Sequence, residues 1–168
     1  FNDAAMRAAQ IAYDFGFKGA PILYSWSSDG AVEDYNHDTE AVHTTEDTLY
    51  AFLDDIVLKS RARKIHLVAH SMGNRALMEV LKQFARNGRG RIFSEVIFAA
   101  PDIGREHFVT RIAPFIGQVA SRVTLYASSD DRALKASNRL NSFARLGQSK
   151  PDVMVLSGID SIDASGID

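Results

Sequence analysis

Three short runs, "KIHLVAH" (64–70), "EVIFAAP" (95–101) and "VTLYASS" (123–129), are separated by stretches whose apolar residues recur at helical spacing. Strand, helix, strand in repetition is the feature that most limits the fold. Strands joined through helices run parallel, and the crossovers between them are right-handed. The runs carry little polar alternation, as strands covered on both faces do. "APILYSW" (20–26) and "DVMVLSG" (152–158) read as two more strands. The pattern predicts an α/β fold of three layers, αβα. It has at least five strands in one mainly parallel sheet, helices on both faces, and the 64–70 strand in the interior.

The helices have their own signals. Asn2 is placed to cap "DAAMRAAQIAYDF", which stops at Gly16. From about Glu40 to Lys59, Thr45, Leu49, Phe52, Leu53, Ile56 and Val57 form one stripe. "NRALMEVLKQFARNG" buries Ala76, Leu77, Val80, Leu81 and Phe84, with Gly88 past its end. "REHFVTRIAPFIGQVASR" is helical with a break at Pro114, and "RALKASNRLNSF" is a further helix. The tail from Ile159 is polar and has no clear period.

A chain of 168 residues with 46% hydrophobic and 24% charged residues suits one globular domain, residues 1–168. A net charge of −2 gives no basic surface for nucleic acid. Without cysteine there is no disulfide, thiolate metal site or cysteine nucleophile. No apolar run has the length of an integral membrane segment.

Ligands of parallel sheets bind at the carboxyl ends of the strands, so Ser71 stands out. It falls between a strand and a helix, with Ala69 two before it and Gly73 two after. This is the spacing of a nucleophile elbow. Small residues there would let the chain turn tightly enough to aim the serine Oγ out of the sheet. The Met72 amide, at the head of the helix, is the candidate oxyanion donor. The plainer reading is a serine that caps the helix.

"HLVAHSMGNRAL", "FAAPDI", "LYASSDDRALKAS" and "GIDSIDAS", in that order, resemble the blocks of uncharacterised bacterial lipase-like α/β-hydrolases. These form a domain-of-unknown-function group in the esterase/lipase superfamily. The resemblance covers nearly the whole chain and implies a Ser-Asp-His triad on an α/β-hydrolase sheet.

The acid of such a triad follows the serine in chain order. "SSDDRAL" offers Asp130 and Asp131, either of which can instead cap the helix after it. The resemblance favours Asp131. Asp102, after "FAAP", is the second choice. The histidines are His37, His43, His66, His70 and His107, and His107 alone follows Ser71 but precedes Asp131. It reads as an exposed helical residue, His70 as a packed neighbour of the serine, and His66 as core. The catalytic histidine is therefore not in this chain. In the family it follows the "IDAS" block in a Gly-His turn. The sequence is expected to be a domain that lacks N-terminal strands, the oxyanion loop and that histidine segment.

Trp26 and Tyr35 are candidate pocket-lining residues, as is Tyr126, with core and loop packing the alternative for each. "HDTEAVH" does not match a metal-binding spacing, and no metal or cofactor is implied. The leading function is a serine hydrolase, esterase- or lipase-like, acting on a small-molecule ester or acyl substrate. An acyltransferase would use the same site, and a non-enzymatic binding or scaffold module would use the same fold. A nucleotide-binding fold is disfavoured, since no glycine-rich loop follows the first strand.

Overall fold

A computed structural model describes residues 2–27, 35–130, 134 and 144–167, with the backbone alone for 35–39. The elements in chain order are α1 (Asn2–Asp14), α2 (Tyr35–Thr44), α3 (Glu46–Lys59), β1 (His66–His70), α4 (Gly73–Arg86), β2 (Phe93–Ala99), α5 (Arg105–His107), a π-helical turn (Phe108–Ile112), α6 (Ala113–Val119), β3 (Ala120–Ala127) and β4 (Asp160–Asp163). The four strands form one wholly parallel sheet in sequential order, β1-β2-β3-β4.

Sequential order has a consequence for the layers. Right-handed crossovers that always step the same way leave every connection on the same face. Helix α4 joins β1 to β2, α6 joins β2 to β3, and the two helices pack together, with α3 also against α4. The register lines up Leu67, Val96 and Val123, then Ala69, Phe98 and Leu125, on the face beneath them. The opposite face carries His66, Val68 and His70 of β1, and Val68 is 55% exposed there. Among the described residues, the helices packed on the sheet thus share one face.

The core is aromatic at its centre. Phe84 of α4 and Phe93 of β2 meet edge to face, their ring centroids 5.5 Å apart, and Tyr50 of α3 stacks on Phe84 at 4.5 Å. Every α4 residue assigned to the core is buried: Ala76, Leu77, Val80, Leu81 and Phe84. Gly88 ends that helix at φ +65° and Gly16 follows α1 at φ +56°, where a glycine bears no Cβ penalty. The break at Pro114 is resolved as the π-helical turn before it. Proline has no N–H to offer the carbonyl four residues back, and the ladder widens there.

Several expectations are corrected. The single helix from about Glu40 is two, divided at Thr45. "APILYSW" forms no strand; Tyr24 and Trp26 turn inward instead, Tyr24 against Phe52 and onto the Thr45 hydroxyl at 2.6 Å. The described sheet consequently has four strands rather than five, and β1 lies at its edge rather than inside. "DVMVLSG" is not the last strand. Met154 and Leu156 cover the core without pairing in a ladder, and the Met154 carbonyl accepts from Ser161 at 2.6 Å. The strand is "DSID", drawn from the tail that looked aperiodic. A short, charged strand is well suited to a sheet edge. The "RALKASNRLNSF" helix lies outside the described residues except for Leu134, which is helical.

On the exposed face, charges cross the sheet in a row. His66 Nδ1 lies 3.9 Å from Glu95, Glu95 lies 3.8 Å from Arg122 Nε, and that same Nε donates to Asp160 at 2.8 Å. Asp160 raises the Arg122 pKa above its ordinary value through that hydrogen bond and its charge.

Phe84 is fully buried at the junction of α3, α4 and β2. Phe84→Ala is expected to remove about 3–5 kcal/mol of stability, read from urea denaturation.

Candidate functional site

The chain leaves β1 at His70 and enters α4 at Gly73, so the turn must be made by Ser71 and Met72. Ser71 makes it at φ +49°, a conformation that costs a non-glycine residue roughly 1 kcal/mol or more. Hydrogen bonds hold it there. Its amide donates to the Ala99 carbonyl at 3.0 Å, which extends the β1–β2 ladder by one residue. Its carbonyl accepts from the Asn74 and Asp102 amides, each at 3.2 Å, and from Asn74 Nδ2 at 2.9 Å. Asn74 is fully buried, and Nδ2 also reaches the Ala99 carbonyl at 3.1 Å. Met72 is the N-cap of α4, at φ −63°.

The steric reason expected for Gly73 is not the one observed. A Cβ there would meet nothing nearer than Trp26 Nε1 at 4.0 Å, an ordinary contact. The same distance puts the Trp26 indole beside the Ser71 turn. Tyr35 begins α2, with its side chain outside the described residues. Tyr126 lies on the open face of the sheet, 36% exposed, in register with Ala99.

The aspartates differ in their surroundings. Asp102 is 2% exposed: Oδ2 meets Arg75 Nη2 at 3.2 Å and Oδ1 lies 3.2 Å from Arg145 Nε. Arg75 Nε also donates to the Asp102 carbonyl at 2.7 Å. Asp130 is tied to the chain beyond β4, its Oδ2 accepting from the Gly166 amide at 2.8 Å. Asp131 lies outside the described residues.

Three histidines face glutamates: His43 with Glu46 at 2.8 Å, His66 with Glu95, and His107 with Glu79 at 3.6 Å. His66 is thus an exposed-face residue and not core, because its strand alternates and Leu67 takes the inner face. His70 is likewise on the exposed face. His107 is the half-exposed residue its helical position suggested.

Two features carried no signal in the sequence. Gly147 is the first. A Cβ there would lie 2.5 Å from the Ala100 carbonyl carbon and 2.7 Å from Pro101 N. Its amide donates to the Pro101 carbonyl at 3.0 Å, and its carbonyl accepts from Ser128 at 2.9 Å, so it joins the exits of β2 and β3. The second is a cleft of about 850 Å³ beside the first turn of α4, with Arg75, Glu79, Arg105, His107, Arg111 and Arg145 among its walls. Arg105 reaches it while donating to the carbonyls of Arg145, Gln148 and Asp152.

At the ends of β3 and β4, Asp163 Oδ1 accepts from the Ser165 amide at 2.9 Å and its hydroxyl at 2.6 Å. Ser165 Oγ accepts in turn from the Ser129 amide at 2.7 Å. The Ser165 hydroxyl, then its amide, pull the Asp163 pKa below its ordinary value. Among the described residues, no group of three or more His, Asp or Glu side chains is placed to hold a metal. Nor is any described helix long and apolar enough to cross a membrane.

A family model for alpha/beta hydrolases of unknown function (DUF900) matches residues 1–166. The chain belongs to that family. Its parallel sheet, with crossover helices and with Ser71 at the strand-to-helix turn, agrees with the α/β-hydrolase architecture. No curated protein and no solved structure matches the chain.

Gly147→Ala is expected to cost about 1–3 kcal/mol in a thermal melt, since two of the three obstructing atoms are backbone and the third is Leu134 Cδ1. Ser165→Ala should raise the Asp163 carboxyl pKa in an NMR titration. A lowered carboxylate pKa supports the fold above its unfolded value, and that support is lost as pH falls. The wild-type contribution should therefore fade in acid, and the variant should show less of this loss.

Proposed function

We propose that this α/β-hydrolase family member is a serine hydrolase acting on a carboxylic ester or related acyl bond, with Ser71 as the nucleophile. The observation that carries the reading is Ser71 at φ +49° between a parallel strand and a helix, its carbonyl engaged by three N–H donors. A helix-capping serine needs no such conformation. A nucleophile does, because an elbow presents Oγ away from the sheet with the next amide turned toward the developing oxyanion.

In this reading Ser71 Oγ attacks the acyl carbon and the Met72 amide receives the oxyanion. Asp131 orients and stabilises the imidazole of the general base. None of His37, His43, His66, His70 and His107 is assigned that role. Asp102 is not chosen as the acid, since Arg75 and Arg145 already meet its carboxylate. Asp130 is not chosen either, since it holds Gly166. Trp26, beside Gly73, is assigned to the wall of the acyl pocket.

The test uses the full-length protein with a fluorophosphonate probe and p-nitrophenyl esters. Wild type should label and turn over. Ser71→Ala should do neither, and Asp131→Asn should lower kcat by a factor on the order of 10⁴. Labelling that persists in Ser71→Ala would refute the assignment, and a wild-type rate in Asp131→Asn would remove that residue from the triad.

A further inference from the structure

Arg145 is anomalous. Its side chain is 7% exposed, yet neither Nε nor Nη2 has a hydrogen-bond partner. Nε lies 3.2 Å from Asp102 Oδ1, close enough for an ion pair but out of line for a hydrogen bond. A guanidinium carries five donors, and leaving them unmet away from water is costly. Arg75 takes the other oxygen of Asp102. Among the described residues, a buried guanidinium and a part-buried one therefore converge on the Asp102 carboxylate.

Both arginines line the cleft of about 850 Å³, with Arg111 exposed at its edge. Among the described residues, its walls also carry Arg105 and three glutamates, Glu46, Glu79 and Glu106. Arg105 is engaged by carbonyls rather than by a carboxylate. Glu79 meets Lys82 and His107, and Glu46 meets His43. A volume of this size suits a small-molecule ligand.

We propose that the cleft binds an oxyanion, a carboxylate or a phosphate group, on Arg145, with Arg111 at its mouth. Planar guanidinium forks are the side chains best matched to such groups. Ser71 is not among the cleft walls, but it is linked to them: the Asp102 amide donates to the Ser71 carbonyl, and Arg75, a wall residue, follows Ser71 by four positions. The substrate is then an ester that carries an anionic group, and that extension rests on the serine-hydrolase reading. Anion binding itself does not.

The experiment titrates inorganic phosphate and succinate into the full-length protein by calorimetry and follows the melting temperature. Wild type and Ser71→Ala should bind at least one of the two saturably and alike. Phosphate alone would indicate a phosphorylated substrate, and succinate alone a carboxylate. Arg145→Gln should bind about tenfold or more weakly. Its melting temperature without anion should be unchanged or higher, because the Asp102–Arg75 pair remains. Arg111→Gln should show a smaller loss of affinity with an unchanged melt, and it carries the test if Arg145→Gln does not fold. Absent saturable binding in wild type, or affinities unchanged in these variants, would overturn the proposal. In the activity arm, wild type should prefer a p-nitrophenyl ester with a succinyl group over the acetate in kcat/KM, and Arg145→Gln should lose that preference. Equal kcat/KM for the two esters would overturn the substrate assignment. If Ser71→Ala binds anion while wild type hydrolyses no ester, the anion site stands and the hydrolase reading falls.

Discussion

The carbonyl oxygen of Ser71 is where the sheet, the helix and the β2 exit are joined. It accepts from the Asn74 amide at the start of α4, from the Asn74 side chain, and from the Asp102 amide after β2. A residue at φ +49° would relax to an ordinary conformation unless its surroundings over-determined it, and three donors on one carbonyl do so. Asn74 is central to this. Its Nδ2 spans the carbonyls of Ser71 and Ala99, while its Oδ1 is buried without a partner. Such an orphan acceptor costs about 1–3 kcal/mol. The molecule tolerates it at the residue that holds the turn, and local stability is traded there for a fixed geometry.

The same junction organises what lies around it. Because the Asp102 amide is committed to Ser71, its side chain projects toward α4, where Arg75 and Arg145 meet it. Because Gly147 lies against Ala100 and Pro101, the chain after residue 144 is drawn over the exit of β2, and Arg145 arrives beside Asp102. The cleft is thus a product of backbone packing at the strand ends. Its charged walls come from residues far apart in the chain.

That distance explains what was legible in the sequence. The α4 stripe and the Ser71 turn were readable because each is set by local spacing, and β2 and β3 because their apolar residues are contiguous. Residues 20–26 and 152–158 misled because an apolar run records burial, not pairing. Tyr24, Trp26, Met154 and Leu156 are packed against the core, but by segments outside any strand. "DSID" was invisible for the converse reason: edge strands need few apolar residues. The partnership of Asp102 with Arg145, and the exclusion of any side chain at Gly147, depend on contacts that no local pattern encodes.

The row of charges from His66 through Glu95 and Arg122 to Asp160 has a role in alignment. In a sheet with one buried face, a one-residue slip turns the apolar side chains outward and is rejected at once. A two-residue slip is more dangerous. It would keep Leu67 and Ala69 inward and, in one direction, set Leu67 against Phe98 and Ala69 against Ala100, so the core alone discriminates weakly against that slip. The charges do not tolerate it. Moved by two, His66 would face Ile97 or Phe93 in place of Glu95, and Arg122 would leave its acids on either side. Each exposed pair is worth little as stability. Together they act as a vernier on a parallel sheet, penalising the misalignment that hydrophobicity would let pass.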